Sequence, residues 1–275
     1  MDVEEACQLF GIRHRKHSGI SMTMTMGSFA PWALGVLLVS VRVGVLFIAA
    51  LPFSGIPVPA VPRFILIVTL AAGLVGAPAT PIVGHDPVSL GASVFHEVIV
   101  GAAIAAGLFA AFSAFQFAGR LLDFQIGFGI AGLVDLATRN NAPLLGTLLS
   151  MLATIFFFSL DGHLALLRLL SLSLAKFPPG AGISALDLRA LIAQFGTSFS
   201  FGMILVAPVV LCLFLVDIGL AFMSRTLPQM NVFVMSLALK SLLGLAMLAI
   251  SIPFAGGVVH RIFAALFEGW SRVFG

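Results

Sequence analysis

From residue 32 onward the chain is a series of long apolar runs broken by short polar or proline-rich connectors: 32–51, 64–83, 88–118, 143–160, 164–177, 191–224 and 232–267. Each run predicts a helix, because about 20 apolar residues in helical form cross roughly 30 Å of hydrocarbon. As helices, runs 88–118 and 191–224 would reach about 46 and 51 Å, well past a bilayer. Tilt absorbs part of that excess. The remainder implies that other protein subunits, rather than lipid, shield parts of these helices.

The stretch that fits this pattern least is 119–143, GRLLDFQIGFGIAGLVDLATRNNAP. It carries Gly119, Gly127, Gly129 and Gly132, then Asp135, Arg139, Asn140 and Asn141, among residues that are mostly Ile, Leu, Phe and Val. Each glycine costs a helix interior about 1 kcal/mol against alanine, so the stretch is expected to leave helical geometry near membrane depth. Unpaired backbone is tolerated there only when packed in protein or lining an aqueous cavity. A channel plug or constriction is one reading. A membrane helix with close-packing glycines that runs into an ordinary turn is the other.

Composition turns the runs into a membrane assignment. The chain of 275 residues is 60% hydrophobic and 9% charged, against about 25% charged in soluble domains, too little polar side chain to coat a water-facing surface. The net charge of +3 is scattered, and no basic stripe with interleaved aromatics points to nucleic acid. Cys7 and Cys212 offer neither a disulfide framework nor metal-ligand spacing. Residues 1–28 differ from the rest, with the cluster Arg13, His14, Arg15, Lys16, His17 and three later methionines, Met22, Met24 and Met26. They read as an N-terminal extension, either disordered or preceding the true start of translation. Residues 29–275 read as a single helical membrane domain.

Pro52, Pro57, Pro59 and Pro62 make the first connector extended and stiff. In VGAAIAAGLFAAF, Gly101 and Ala105, or Ala103 and Gly107, share a helical face and imply a closely packed neighbour. The connector charges show no inside–outside alternation.

Ionisable residues inside apolar runs are Arg42, His96, Glu97, Asp217 and Lys240, each costly enough in hydrocarbon to make a functional reading the default. If residues 225–230 turn a helical hairpin, Asp217 and Lys240 lie about 15 and 19 Å from its tip. A salt bridge, separate contacts to other subunits, and an ion or proton relay all remain open. Pro228, Gln229, Met230 and Asn231 form the hairpin turn or a subunit contact, and Arg42 reads as a buried clamp or subunit contact. No phosphate loop, zinc helix or nucleophile elbow is present. Asp161 and His163 in SLDGHLALL read as a polar turn rather than an acid–base pair. The chain is read as non-enzymatic and without cofactor or metal.

Four blocks together carry a resemblance: LLVSVRVGVLFIAALPFSGIPVPAVPR, FAGRLLDFQIGFGIAGLVD, FFFSLDGHLALLRLLSLSL and SRTLPQMNVFVMSLALK. Their order and spacing are similar to the FliR family of flagellar biosynthetic proteins and its injectisome counterpart, the T subunit of the virulence-type export apparatus. PQMNVF followed by a lysine is the most specific piece. Leu136 and Ala238 stand where the family often has proline. The resemblance implies an all-α, integral membrane export-gate subunit with long helical hairpins, residues 29–190 being FliP-like and 191–275 a FliQ-like hairpin. It implies partnership with FliP-like and FliQ-like subunits and with FlhB- and FlhA-like components, contact with membrane lipid, and passage of unfolded export substrates at the bacterial inner membrane, in the flagellar basal body. It places Gly127, Gly129, Gly132, Asp135, Arg139 and Asn141 in or beside a plug that projects into the channel. Flagellar use is the favoured reading, and injectisome use is the alternative. A rival outside the family is a proton-coupled small-solute transporter using Glu97, Asp217 and Lys240; against it, no internal repeat of the kind such transporters carry is visible.

Overall fold

The computed structural model describes residues 26–49, 59–75, 87–129, 143–180, 187–226 and 232–274. These form seven helices: α1 (Met26–Ala49), α2 (Ala60–Val75), α3 (Pro87–Ile126), α4 (Leu144–Ser159), α5 (Gly162–Lys176), α6 (Leu188–Thr226) and α7 (Val232–Phe274). No strand occurs among the described residues. Every apolar run of the sequence corresponds to one helix. Four of them, α1, α3, α6 and α7, are long and apolar enough to cross a membrane, and α4 with α5 forms a further apolar pair bent by 69°.

Several boundaries shift. α1 begins at Met26, inside the segment read as an extension, and Pro62 falls in the first turn of α2 rather than in the connector, where a missing N–H costs nothing. The larger correction concerns residues 119–126, expected to leave helical geometry but continuing α3 without interruption. Gly119 is helical because α4 needs its space: a Cβ there would collide with the backbone of Gly146. The glycine cost of about 1 kcal/mol is offset by the close approach of two helices.

With 40, 39 and 43 residues, α3, α6 and α7 extend about 60 Å each, roughly twice the hydrocarbon thickness. α3 is the axis, packing against α1, α4, α6 and α7. Its Ile104, Leu108, Ala111, Phe112, Phe115, Ala118, Leu122 and Ile126 belong to one continuous core. Phe112 and Phe115 of α3, Phe157 of α4 and Phe263 of α7 lock three helices together, with Phe263 within 5.9 Å, centroid to centroid, of each of the other three rings. Edge-on and offset geometries of this kind are worth about 0.5–1.5 kcal/mol per pair beyond their buried area. Gly101 and Gly107, candidates for close packing, serve different neighbours: a Cβ on Gly101 would lie 2.6 Å from the Arg42 carbonyl of α1, and one on Gly107 would lie 2.5 Å from the Trp270 indole nitrogen of α7.

Burial falls away from this axis. Of the most apolar stretch of each long helix, 61% is buried in α3, 28% in α6 and 11% in α7. The antiparallel α6–α7 hairpin thus keeps one face on α3 and turns Leu211, Phe214, Leu215, Leu242 and Phe254 outward.

Candidate functional site

The C-terminal end of α3 carries the geometry on which residues 119–143 depend. The helix stops at Ile126, and Gly127 adopts φ +98°, a conformation that residues with a Cβ rarely take. A Cβ on Gly127 would also overlap the Cδ2 methyl of half-buried Leu237 on α7, a side chain that must swing aside to admit it. Gly129, by contrast, has ordinary clearance, with 3.8 Å to the nearest atom. Ile126 seats against Gly244, whose Cβ would lie 2.6 Å from it. The end of α3 therefore abuts the first turns of α7. Gly132, Asp135, Arg139 and Asn141, and the turn residues Pro228, Gln229, Met230 and Asn231, lie outside the described residues. The segments that flank both sets meet at one end of the molecule.

Asp123, one turn before the end of α3, closes the base of this stretch. α4 starts after Pro143, which has no side-chain donor or acceptor to cap a helix. Asp123 supplies the cap from another helix: its Oδ1 accepts from the Leu145 amide at 3.0 Å and its Oδ2 from the Gly146 amide at 3.1 Å. These are the second and third amides of α4, the pair that an N-terminal capping carboxylate ordinarily satisfies, and the helix dipole adds to the attraction. The chain thus departs after α3 and returns at α4 with both ends pinned. Asp123 is 4% exposed. Its replacement by alanine is expected to cost about 2 kcal/mol and to speed hydrogen exchange selectively at Leu145 and Gly146, with asparagine, which keeps one acceptor, falling between. Unchanged exchange at both amides would show that the cap holds nothing.

At the opposite end of α3 sits a buried ion pair. Arg42 of α1 and Glu97 of α3 are 1% and 2% exposed. Arg42 Nε donates to Glu97 Oε2 at 2.6 Å and Nη2 to Oε1 at 3.1 Å, the two-pronged geometry that suits a guanidinium to a carboxylate. Nη1 donates to Ser173 Oγ and Nη2 to the Phe177 carbonyl, both at 2.9 Å. One side chain thereby ties α1, α3 and the end of α5, and Gly101, one turn beyond Glu97, lets the two backbones approach closely enough for it to reach. Ser173 and Phe177 escaped the sequence reading because neither is ionisable, and nothing local marks them.

Asp217 of α6 and Lys240 of α7 form an ion pair across the hairpin, 40% and 21% exposed. About 40 Å of α3 separates Glu97 from Ile126, and Ile126 packs on Gly244, one turn beyond Lys240. Of Glu97, Asp217 and Lys240, the three residues of the proton-relay reading, Asp217 and Lys240 are therefore brought together and Glu97 is not. His96 is half-buried beside Glu97. Asp161 takes φ 55° at the α4–α5 bend and its carbonyl accepts from Leu164 and Ala165 at 2.9 and 3.1 Å, so its backbone makes the turn.

A family model described as bacterial export proteins, family 1, matches residues 33–266. The flagellar biosynthetic protein FliR of Bacillus subtilis is 31% identical over 241 residues, 84% of this chain and 91% of the relative. The protein of the same name in Escherichia coli is 27% identical over 173 residues, 62% of this chain and 66% of the relative. The secretion system apparatus protein SsaT of Salmonella typhimurium is 31% identical over 161 residues, 58% of this chain and 62% of the relative.

Proposed function

This chain belongs to the bacterial export proteins, family 1, and on that premise we propose that it is a non-enzymatic subunit of the type III protein export gate in the bacterial inner membrane, at the flagellar basal body. With FliP-like and FliQ-like subunits it surrounds a conduit for unfolded flagellar proteins, and FlhB- and FlhA-like components and an ATPase complex supply access and energy. Residues 29–190 play the FliP-like part and residues 191–275 the FliQ-like hairpin. Gly127, Gly129, Gly132, Asp135, Arg139 and Asn141 act in or beside the element that closes the conduit.

The observation that carries this reading is the mismatch between helix length and burial. Helices of about 60 Å with only 28% and 11% of their most apolar stretches covered in α6 and α7 need more partners than a 30 Å hydrocarbon layer provides. Neighbouring helical subunits meet that need. The separation of Glu97 from Asp217 and Lys240 speaks against a transporter relay through all three. A second reading, an injectisome subunit of the same family, is favoured by the 31% identity to SsaT.

Affinity purification of the tagged chain from its own membranes tests the proposal. FliP- and FliQ-like proteins are expected to accompany it in fixed proportion, and deletion of its gene is expected to abolish export of flagellar proteins. Recovery of the chain alone, with flagellar export intact in the deletion strain, would overturn it.

A further inference from the structure

We infer that the cleft between α5 and the C-terminal end of α7 is a binding site for an anionic phospholipid. The cleft has a volume of about 550 Å³, within the roughly 300–1,000 Å³ of ligand clefts. Its floor is apolar, formed by Leu169 and Leu172 of α5 with Phe267 and Trp270 of α7. Both charged residues on its lining are cations, Arg168 and Lys176, two turns apart on α5. An occupant of this cleft therefore presents apolar surface to the floor and negative charge to the rim, which is the chemistry of an acyl chain joined to a phosphate.

Its position agrees with that chemistry. Lys176 is in the last turn of α5, and Trp270 and Ser271 lie in the last turns of α7, so the cleft sits where both helices end. Arg168 and Lys176 are both exposed, and such long cationic side chains lay their stems on apolar surface while the charge reaches for headgroups. Trp270 is 2% exposed, with its indole nitrogen against Gly107 of α3, so it forms the closed bottom of the cleft, and the open apolar surface comes from Leu172, which is 63% exposed. Basic clefts between membrane helices take anionic headgroups by the same combination of charge and apolar contact.

The intact protein, purified in mild detergent with the subunits that accompany it, is offered equal amounts of phosphatidylglycerol and phosphatidylcholine, and retained lipid is read by native mass spectrometry. Phosphatidylglycerol is expected to exceed phosphatidylcholine at least fivefold. In R168Q/K176Q the ratio should fall below two, whereas R63Q/R120Q, which removes two cations elsewhere, should keep it. Equal retention by the unmodified protein, or an equal fall in both double variants, would overturn the site. A photoactivatable phosphatidylglycerol gives a readout that needs no variant: labelling within residues 165–176 and 267–271 supports the site. Labelling confined to other segments overturns it, as does a photoactivatable residue at Leu172 that captures an acidic protein segment instead of lipid.

Discussion

Replacing Arg42 by methionine is expected to destabilise the protein by about 3–5 kcal/mol, whereas the double replacement of Arg42 by methionine and Glu97 by leucine should return most of that loss. The asymmetry follows from burial. Arg42 and Glu97 are 1% and 2% exposed, so removing the cation alone leaves a carboxylate with neither water nor counter-charge. Removing both leaves no unpaired charge, only the Ser173 hydroxyl and the Phe177 carbonyl without the arginine as donor. Arginine also makes four hydrogen bonds at once, two to Glu97 of α3, one to Ser173 of α5 and one to the Phe177 carbonyl just past α5. Lysine, with a compact ammonium in place of a planar fork, cannot reach all of them, and Arg42→Lys should fall between methionine and the native residue. Thermal unfolding in detergent and steady-state abundance in the membrane both report the difference. If the single and double variants lose equal stability, the pair is a packing element whose charges are incidental.

The contrast between this pair and Asp217–Lys240 shows which parts of the molecule were legible in the sequence. Asp217 and Lys240 stand at similar heights on either side of residues 225–230, so helix rise makes a salt bridge one of three open readings, and α6 and α7 bring the two together. Arg42 and Glu97 are 55 residues apart with α2 between them. That each is expensive in an apolar run could be read locally, but their pairing depends on how α1 lies on α3, and no periodicity encodes it. The long helices were legible for the same local reason, since runs of apolar residues report themselves.

Glycine misled where propensity and packing disagree. Gly119 reads as a helix breaker, yet it is the place where α3 and α4 come closest, and tertiary contact outweighs about 1 kcal/mol of propensity. Only Gly127 ends the helix, and what distinguishes it from Gly119 is a backbone angle and a leucine more than a hundred positions away. Asp123 went unremarked because a capping residue is sought just before the helix it caps, and this one serves a helix that begins after an intervening 20 residues of chain.

Gly127 is accordingly the position where substitution should alter export most. Gly127→Val is expected to cut secretion of flagellar proteins by at least tenfold and to raise the passive leak of small ions through the membrane. Two separate costs combine there. A β-branched residue is forced into φ +98°, a strain of about 1–3 kcal/mol, and its Cβ meets Leu237 of α7. A perturbation of 1–3 kcal/mol shifts an equilibrium between two states by roughly 5–150-fold, enough to move a closed conduit substantially toward an open one or to jam it. The two costs separate by design. Asparagine tolerates the left-handed region but keeps the collision, so Gly127→Asn combined with Leu237→Ala should approach native export, whereas Gly127→Val with Leu237→Ala should recover little because the backbone strain persists. Gly129, where a Cβ would make only ordinary van der Waals contact, should accept alanine with no more than a twofold change. Native export and native leak in Gly127→Val would show that the end of α3 only anchors the chain, and the closing element would then have to be sought elsewhere. Loss confined to variants that collide with Leu237 would instead make the α3–α7 contact, rather than the backbone angle, the part that sets the closed state.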